Sequence, residues 1–168
     1  MVHPACLPLD ELERSCRFRQ TRASGPGGQR RNKVETAVEV LHEPTGIQAQ
    51  ASESRDRIVN RKKALRRLRV RLALECREPI AEGREFPSTL LKSRIKGRRL
   101  SLNIEHEDFP AILAEVLDAL DACGWETSQA GTWLGLSPSQ IVRLLKGEPQ
   151  AMVRVNEARK AIGLSSLH

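Results

Sequence analysis

Residues 22–38 read RASGPGGQRRNKVETAV, with Gly25, Pro26, Gly27 and Gly28 standing consecutively. Proline lacks the amide hydrogen that a helix or sheet ladder uses, and glycine weakens the interior of either. The quartet therefore breaks any regular element, leaving an exposed loop between two segments that fold on either side of it. Adjacent glycines let a backbone approach a ligand closely, because no Cβ stands in the way. The residue delivered at the tip is Gln29, which offers a backbone N–H and a side-chain amide that both donates and accepts. It has no titratable group. Such a residue suits attack of water on an already activated ester, where the main requirements are to position the water and stabilise the oxyanion. Arg22, Arg30, Arg31 and Lys33 surround the tip, a density of cations expected of a loop that pushes between phosphates. The ester is therefore expected on a nucleic acid.

The pattern R-x-S-G-P-G-G-Q-x-x-N-K-x-x-T-A-V resembles the catalytic domain of class I peptide chain release factors. It resembles equally their short, stop-codon-independent relatives that rescue stalled ribosomes. The resemblance covers roughly residues 9–78. It implies that the loop enters the peptidyl transferase centre of the ribosome and promotes hydrolysis of the ester between nascent peptide and P-site tRNA. By position, Gly27 and Gly28 shape the loop, and the Gln29 backbone N–H stabilises the transition state. The Gln29 side chain admits water and excludes larger nucleophiles. Ser24, Gly25, Pro26, Asn32 and Lys33 support the loop. The resemblance also implies a glutamine methyltransferase acting on Gln29. This chain departs from the family at Arg30 and Arg31, where a His or small polar residue and then Val or Ile are usual. An apolar anchor is replaced by charge, which points to tighter contact with RNA.

Charge placement agrees with an RNA partner. The 168 residues carry a net charge of +7. Residues 1–99 hold 23 Lys and Arg against 12 Asp and Glu, while residues 100–168 hold 5 against 9. The cations thus belong to the first part, where a polyanionic partner is expected. Cys6, Cys16, Cys76 and Cys123 stand far apart, without a C-x-x-C pair or a zinc-ligand spacing, and read as isolated thiols of a reducing compartment. Neither metal nor organic cofactor is implied. Residues 1–13 are acidic and lack Arg, unlike a transit or signal peptide. No apolar run has membrane-spanning length. The expectation is a cytoplasmic protein without membrane contact. Oligomeric state leaves no signal.

The expected fold class is α+β: a small catalytic domain at residues 1–80, a basic linker or extension at 81–103, and a small all-α domain at 104–168. Residues 9–13 read as a helical turn docking Leu9 and Leu12. Residues 16–20, 37–42 and 47–51 read as strands, with a turn at 43–46. On the returning strand Ile47, Ala49 and Ala51 share a face. His42 reads as a solvent-facing strand residue rather than a general base. A long helix capped by Ser52 or Ser54 is expected to run to about Glu78, stopped by Pro79. Ile58, Leu65, Leu68, Leu72 and Cys76 form its apolar stripe. Arg55, Arg57, Arg61, Lys62, Lys63, Arg66, Arg67, Arg69 and Arg71 cover the rest, with only Asp56 among them. Ordinary solvated helices mix both signs, so this face reads as a ribosomal RNA surface. Arg61, Lys62, Lys63, Arg66 and Arg67 are the candidate contacts. Lys92, Arg94, Lys96, Arg98 and Arg99 form a second basic run in the linker.

The last third changes character. Residues 109–122 read as an acidic amphipathic helix with Ile112, Val116, Leu117 and Leu120 inward, stopped at Cys123 and Gly124. Residues 128–145 resemble a helix-turn-helix: Ala130 sits where the helices cross, Gly135 turns, Ser137 caps the second helix, and Ile141 and Leu144 enter the core. Ser139, Gln140, Arg143 and Lys146 are the groups available to a nucleic acid. Phosphate attraction dominates such affinity, so an acidic segment makes a poor autonomous DNA binder. It is expected instead to contact protein or a restricted ribosomal site. A chain this short has no room for a codon-reading domain, so release is expected to be independent of a stop codon. Two rival readings remain: a catalytically silent RNA-binding protein that kept the loop, and a DNA-binding regulator led by the last third.

Overall fold

The computed structural model describes residues 2–21, 36–80 and 85–168. The fold is α+β and forms two compact units, Leu7–Leu72 and Met1–Cys6 together with Ala73–His168.

In the first unit a short helix α1 (Leu9–Arg14) leads into an antiparallel meander of β1 (Cys16–Thr21), β2 (Ala37–His42) and β3 (Ile47–Ala51), in the order β1-β2-β3. The register pairs Thr21 with Ala37 and Cys16 with His42, then Val38 with Ala51 and His42 with Ile47. The β3 alternation is as the sequence predicts, with Ile47, Ala49 and Ala51 buried and Gln48 and Gln50 exposed. Gly46 turns the hairpin at φ 70°. Of the two leucines expected to dock from α1, only Leu12 does so; Leu9 is exposed. His42 is buried rather than solvent-facing, because it shares the inward face of β2 with Val38 and Val40.

The long helix α2 spans Arg57–Glu75, its residues up to Leu72 lying in the first unit. Its cap is Asp56 rather than Ser52 or Ser54: the Asp56 carboxylate accepts from the Ile58 N–H at 2.7 Å, and its carbonyl from the Asn60 N–H at 3.1 Å. Ser54 serves the turn before it, accepting from the Asp56 N–H at 3.0 Å. Of the expected apolar stripe, Leu65, Leu68 and Leu72 are buried but Ile58 is 63% exposed; Asn60 and Ala64 complete the inner face, in register with Leu68 and Leu72 at four-residue steps. The helix ends before Pro79 because Arg77 folds back, donating to the carbonyls of Ala73 at 2.8 Å and Leu74 at 2.9 Å. Those carbonyls lack helical partners at a C-terminus, and the guanidinium supplies them.

In the second unit, residues 85–103, read from the sequence as linker or extension, hold α3 (Thr89–Arg94) and a hairpin of β4 (Ile95–Lys96) and β5 (Arg99–Leu100). Ser88 caps α3 by accepting from the Leu91 N–H at 3.1 Å. Its own N–H and hydroxyl donate to the two oxygens of Glu115, each at 2.6 Å.

Helix α4 (Phe109–Ala122) has the expected bounds but a different environment. Every residue from Phe109 to Leu120 is buried, the acidic ones included, so it is the centre of its unit rather than an amphipathic helix with one polar face. Glu115 and Asp118 point to partners instead of solvent: Glu115 to Ser88, and Asp118 to the Glu78 N–H at 3.3 Å and to Arg77 at 3.8 Å. Buried carboxylates persist only where such donors meet them.

Helices α5 (Thr127–Leu134) and α6 (Pro138–Lys146) form the helix-turn-helix, with Gly135 at φ 71° between them. Ala130, Ile141 and Leu144 are buried as expected. Ser137 stands at the head of α6, but its hydroxyl pairs with that of Ser139 at 3.0 Å rather than with a backbone N–H. The tight crossing falls on Gly131, where a Cβ would lie 2.6 Å from the Leu136 carbonyl oxygen. A last helix, α7 (Pro149–Ala161), packs on α6. Its buried Arg159 donates to the Ser165 carbonyl at 2.8 Å and to that of Trp125.

Candidate functional site

The Gly-Gly-Gln tip (Gly27, Gly28, Gln29), with Arg22, Ser24, Gly25, Pro26, Arg30, Arg31, Asn32 and Lys33, lies outside the described residues. What the structure shows is how both ends of this segment are held. Thr21 closes β1 and pairs with Ala37 at the start of β2, so the chain leaves and re-enters the sheet at adjoining positions. On the return side, the buried Asn60 of α2 donates to the Thr36 carbonyl at 2.7 Å. The same amide donates to the Ser54 carbonyl at 2.9 Å and accepts from the Ser54 N–H at 2.9 Å. Asn60 thus ties the exit of the segment to the start of the helix.

The cations of α2 fall into two sets. Arg61 donates to Glu13 at 2.6 Å and stacks over the Phe18 ring, 3.4 Å from its centroid, which holds α2 against α1 and β1. Arg67 pairs with Glu53 at 2.5 Å and donates to the Gln50 carbonyl at 2.8 Å, and Arg71 donates to the Gln48 carbonyl. Among the described residues β3 is an edge strand of the sheet, and the arginines engage carbonyls along it that would otherwise be open to pairing. The other set, Lys62 and Lys63, is exposed and makes no ion pair among the described residues; Arg66 is half-buried. A small recess of about 160 Å³ opens beside Phe18, Gln20, Val38, Ile58 and Arg61.

The second basic run divides similarly. Lys92 pairs with Glu85 at 2.9 Å. Arg94 donates to one oxygen of Asp108 through Nε at 3.1 Å and a terminal nitrogen at 2.6 Å. Lys96, Arg98 and Arg99 stay exposed on the hairpin.

Two titratable groups of the first unit are shifted from their ordinary values by burial. Burial, with Glu13 nearby, pushes the Cys16 thiol up to about 11. Burial also lowers the His42 pKa, and its Nδ1 lies 2.8 Å from the Thr45 hydroxyl, a local turn contact. Among the described residues no cluster of His, Cys, Asp and Glu could hold a metal ion.

A three-stranded meander tied to one long cationic helix, with Gly-Gly-Gln between the first two strands in sequence, makes the first unit an α+β fold. The RF-1 domain family model matches residues 10–107, more than half of the chain, and the chain belongs to that family, the class I peptide chain release factors. It is 50% identical over 66 residues to peptide chain release factor 1 of Thermus thermophilus, covering 39% of this chain and 18% of that protein. It is 32% identical over 137 residues to peptide chain release factor 1 of Geobacter sulfurreducens, covering 71% and 36%. Chloroplastic release factor PrfB1 of Arabidopsis thaliana is 47% identical over 72 residues, covering 43% and 15%. The chain therefore spans little more than a third of these relatives at most.

Sequence reasoning passed over Asn60, Arg67 and Arg71 as structural anchors. For Asn60 a signal existed: it falls in register with Ala64, Leu68 and Leu72, and a polar residue on an apolar stripe marks a buried partner.

Proposed function

We propose that this protein hydrolyses the ester joining nascent peptide to P-site tRNA on the ribosome, and does so without reading a stop codon. The observation that carries the reading is Gly27-Gly28-Gln29 inside an RF-1 match, between strands whose ends are paired at Thr21 and Ala37. Water attacks the ester carbonyl carbon, the bond to the ribose oxygen breaks, and that oxygen takes a proton. The Gln29 backbone N–H stabilises the oxyanion, and its side chain orients the water. Gly27 and Gly28 keep Cβ atoms away from the tRNA end, while Arg22, Arg30, Arg31 and Lys33 contact phosphates. Methylation of Gln29 by a glutamine methyltransferase belongs to the same reading, and mass spectrometry of the native tryptic peptide checks it.

The test is peptide release from purified ribosomes holding P-site peptidyl-tRNA, with the A site empty or displaying a sense or a stop codon. The expected result is release on the empty A site. Gln29→Ala loses the ordering of water, and Gln29→Pro, which removes the backbone N–H, loses about 10²–10³-fold in rate. Release on stop codons alone would overturn codon independence. Ribosome binding without release on any complex would overturn the hydrolase reading in favour of a silent RNA binder, to which the charged Arg30 and Arg31 are suited.

A further inference from the structure

The β4–β5 hairpin and the start of α6 enclose an open groove of about 610 Å³, lined in part by Lys96, Arg99, Ser101, Asn103, Gln140 and Arg143. Its lining includes no carboxylate. Arg94, also in the wall, is neutralised by Asp108, whereas Lys96, Arg99 and Arg143 make no ion pair among the described residues. Lys96 and Arg99 are direct cross-strand partners. Like charges in that relation repel each other, and an anion held between them turns the repulsion into attraction.

The hairpin also changes what the helix-turn-helix can do. The head of α6, which in a DNA reader enters the major groove, is covered: the Ser137 N–H donates to the Arg98 carbonyl at 3.3 Å. The Gln140 side-chain oxygen accepts from the Leu100 N–H at 3.2 Å. An α6 so covered cannot lie bare in a B-form groove. We infer that this composite groove binds the sugar-phosphate backbone of a structured RNA. Phosphates meet Lys96, Arg99 and Arg143, and the Ser101 hydroxyl and the Asn103 amide face the 2′-hydroxyls that distinguish RNA from DNA. The ribosomal origin of that RNA rests on the proposed function; the groove's affinity does not.

The test uses the full chain and a labelled RNA hairpin with single-stranded flanks, alongside the DNA duplex of the same sequence, with Kd measured across KCl concentrations. Replacing three cations that neutralise phosphates, as in Lys96→Gln/Arg99→Gln/Arg143→Gln, should weaken RNA binding about tenfold or more at low salt and flatten its salt slope by about 2. Loss on DNA should be smaller. Arg99→Lys/Arg143→Lys keeps the charge, serves as the folding control and should retain affinity. An unchanged Kd and slope, or an equal loss on DNA, would overturn the assignment. So would binding of poly-glutamate that depends on these three residues while RNA binding does not. Because the probe is free RNA, a chain that released no peptide yet showed this loss would fail the hydrolase reading and keep the groove.

Discussion

The Asn60 amide, buried on the inner face of α2, donates to the Thr36 carbonyl at 2.7 Å, one residue beyond the segment that carries Gly-Gly-Gln. A single side chain therefore sets the distance between the long helix and the point where the segment rejoins the sheet. Asn60→Asp keeps the acceptor for the Ser54 N–H but sets a carboxylate against the carbonyls of Thr36 and Ser54. Leaving such buried groups unsatisfied costs about 1–3 kcal/mol each, so the denaturant midpoint should fall. If Asn60 positions the segment, the rate of peptide release on saturated ribosomes should fall about tenfold or more, while ribosome affinity changes little. Loss of affinity with an unchanged rate would assign Asn60 a purely structural part.

His42 gives the first unit a pH dependence. Burial depresses its pKa below the ordinary value of about 6.5, so the folded chain holds it neutral. Between those two values the unfolded chain binds the extra proton, and stability falls as pH drops through the window. Urea unfolding at pH 7.5 and pH 5 should show this loss, and His42→Gln, which can still meet the Thr45 hydroxyl, should reduce it. An equal loss in both proteins would place the titration elsewhere.

The strands were legible because the period-two pattern and the turn residues at 43–46 agree, and the observed β2 and β3 match residue for residue. Helix α4 was legible in extent but not in environment. Glu115 and Asp118 made α4 read as an acidic amphipathic helix, since a sequence does not show that Ser88 and Arg77 wait for them. The β4–β5 hairpin left no pattern, because two-residue strands are too short for periodicity and its basic residues read as linker. In α2 a uniform field of cations concealed which of them hold the sheet. That distinction depends on where β3 ends its pairing, which is a tertiary fact.

At the helix-turn-helix crossing the critical small residue is Gly131, not only Ala130. A methyl group there would stand 2.6 Å from the Leu136 carbonyl oxygen, and that oxygen is backbone, which cannot swing aside. Gly131→Ala should therefore destabilise the second unit by about 1–3 kcal/mol despite its better helix propensity. Thermal unfolding followed by circular dichroism checks it. A neutral or stabilising result would mean that the α5–α6 turn relaxes without cost.

The two sets of cations on α2 should separate experimentally. Arg67 spends its guanidinium on Glu53 and the Gln50 carbonyl, a half-exposed arrangement that contributes about 0.5–1 kcal/mol after solvent screening. Arg67→Ala should lower stability by that amount, and its effect on ribosome binding should vanish once the protein is fully folded. Lys62 and Lys63 are exposed and make no ion pair among the described residues, so Lys62→Gln/Lys63→Gln should leave the denaturant midpoint within about 0.5 kcal/mol. On RNA, removal of each phosphate-contacting cation should reduce the salt slope of binding by about 1. A double variant that matched wild type in both Kd and slope would show that this face of α2 meets solvent. RNA contact would then fall to the cations beside Gln29 and on the hairpin.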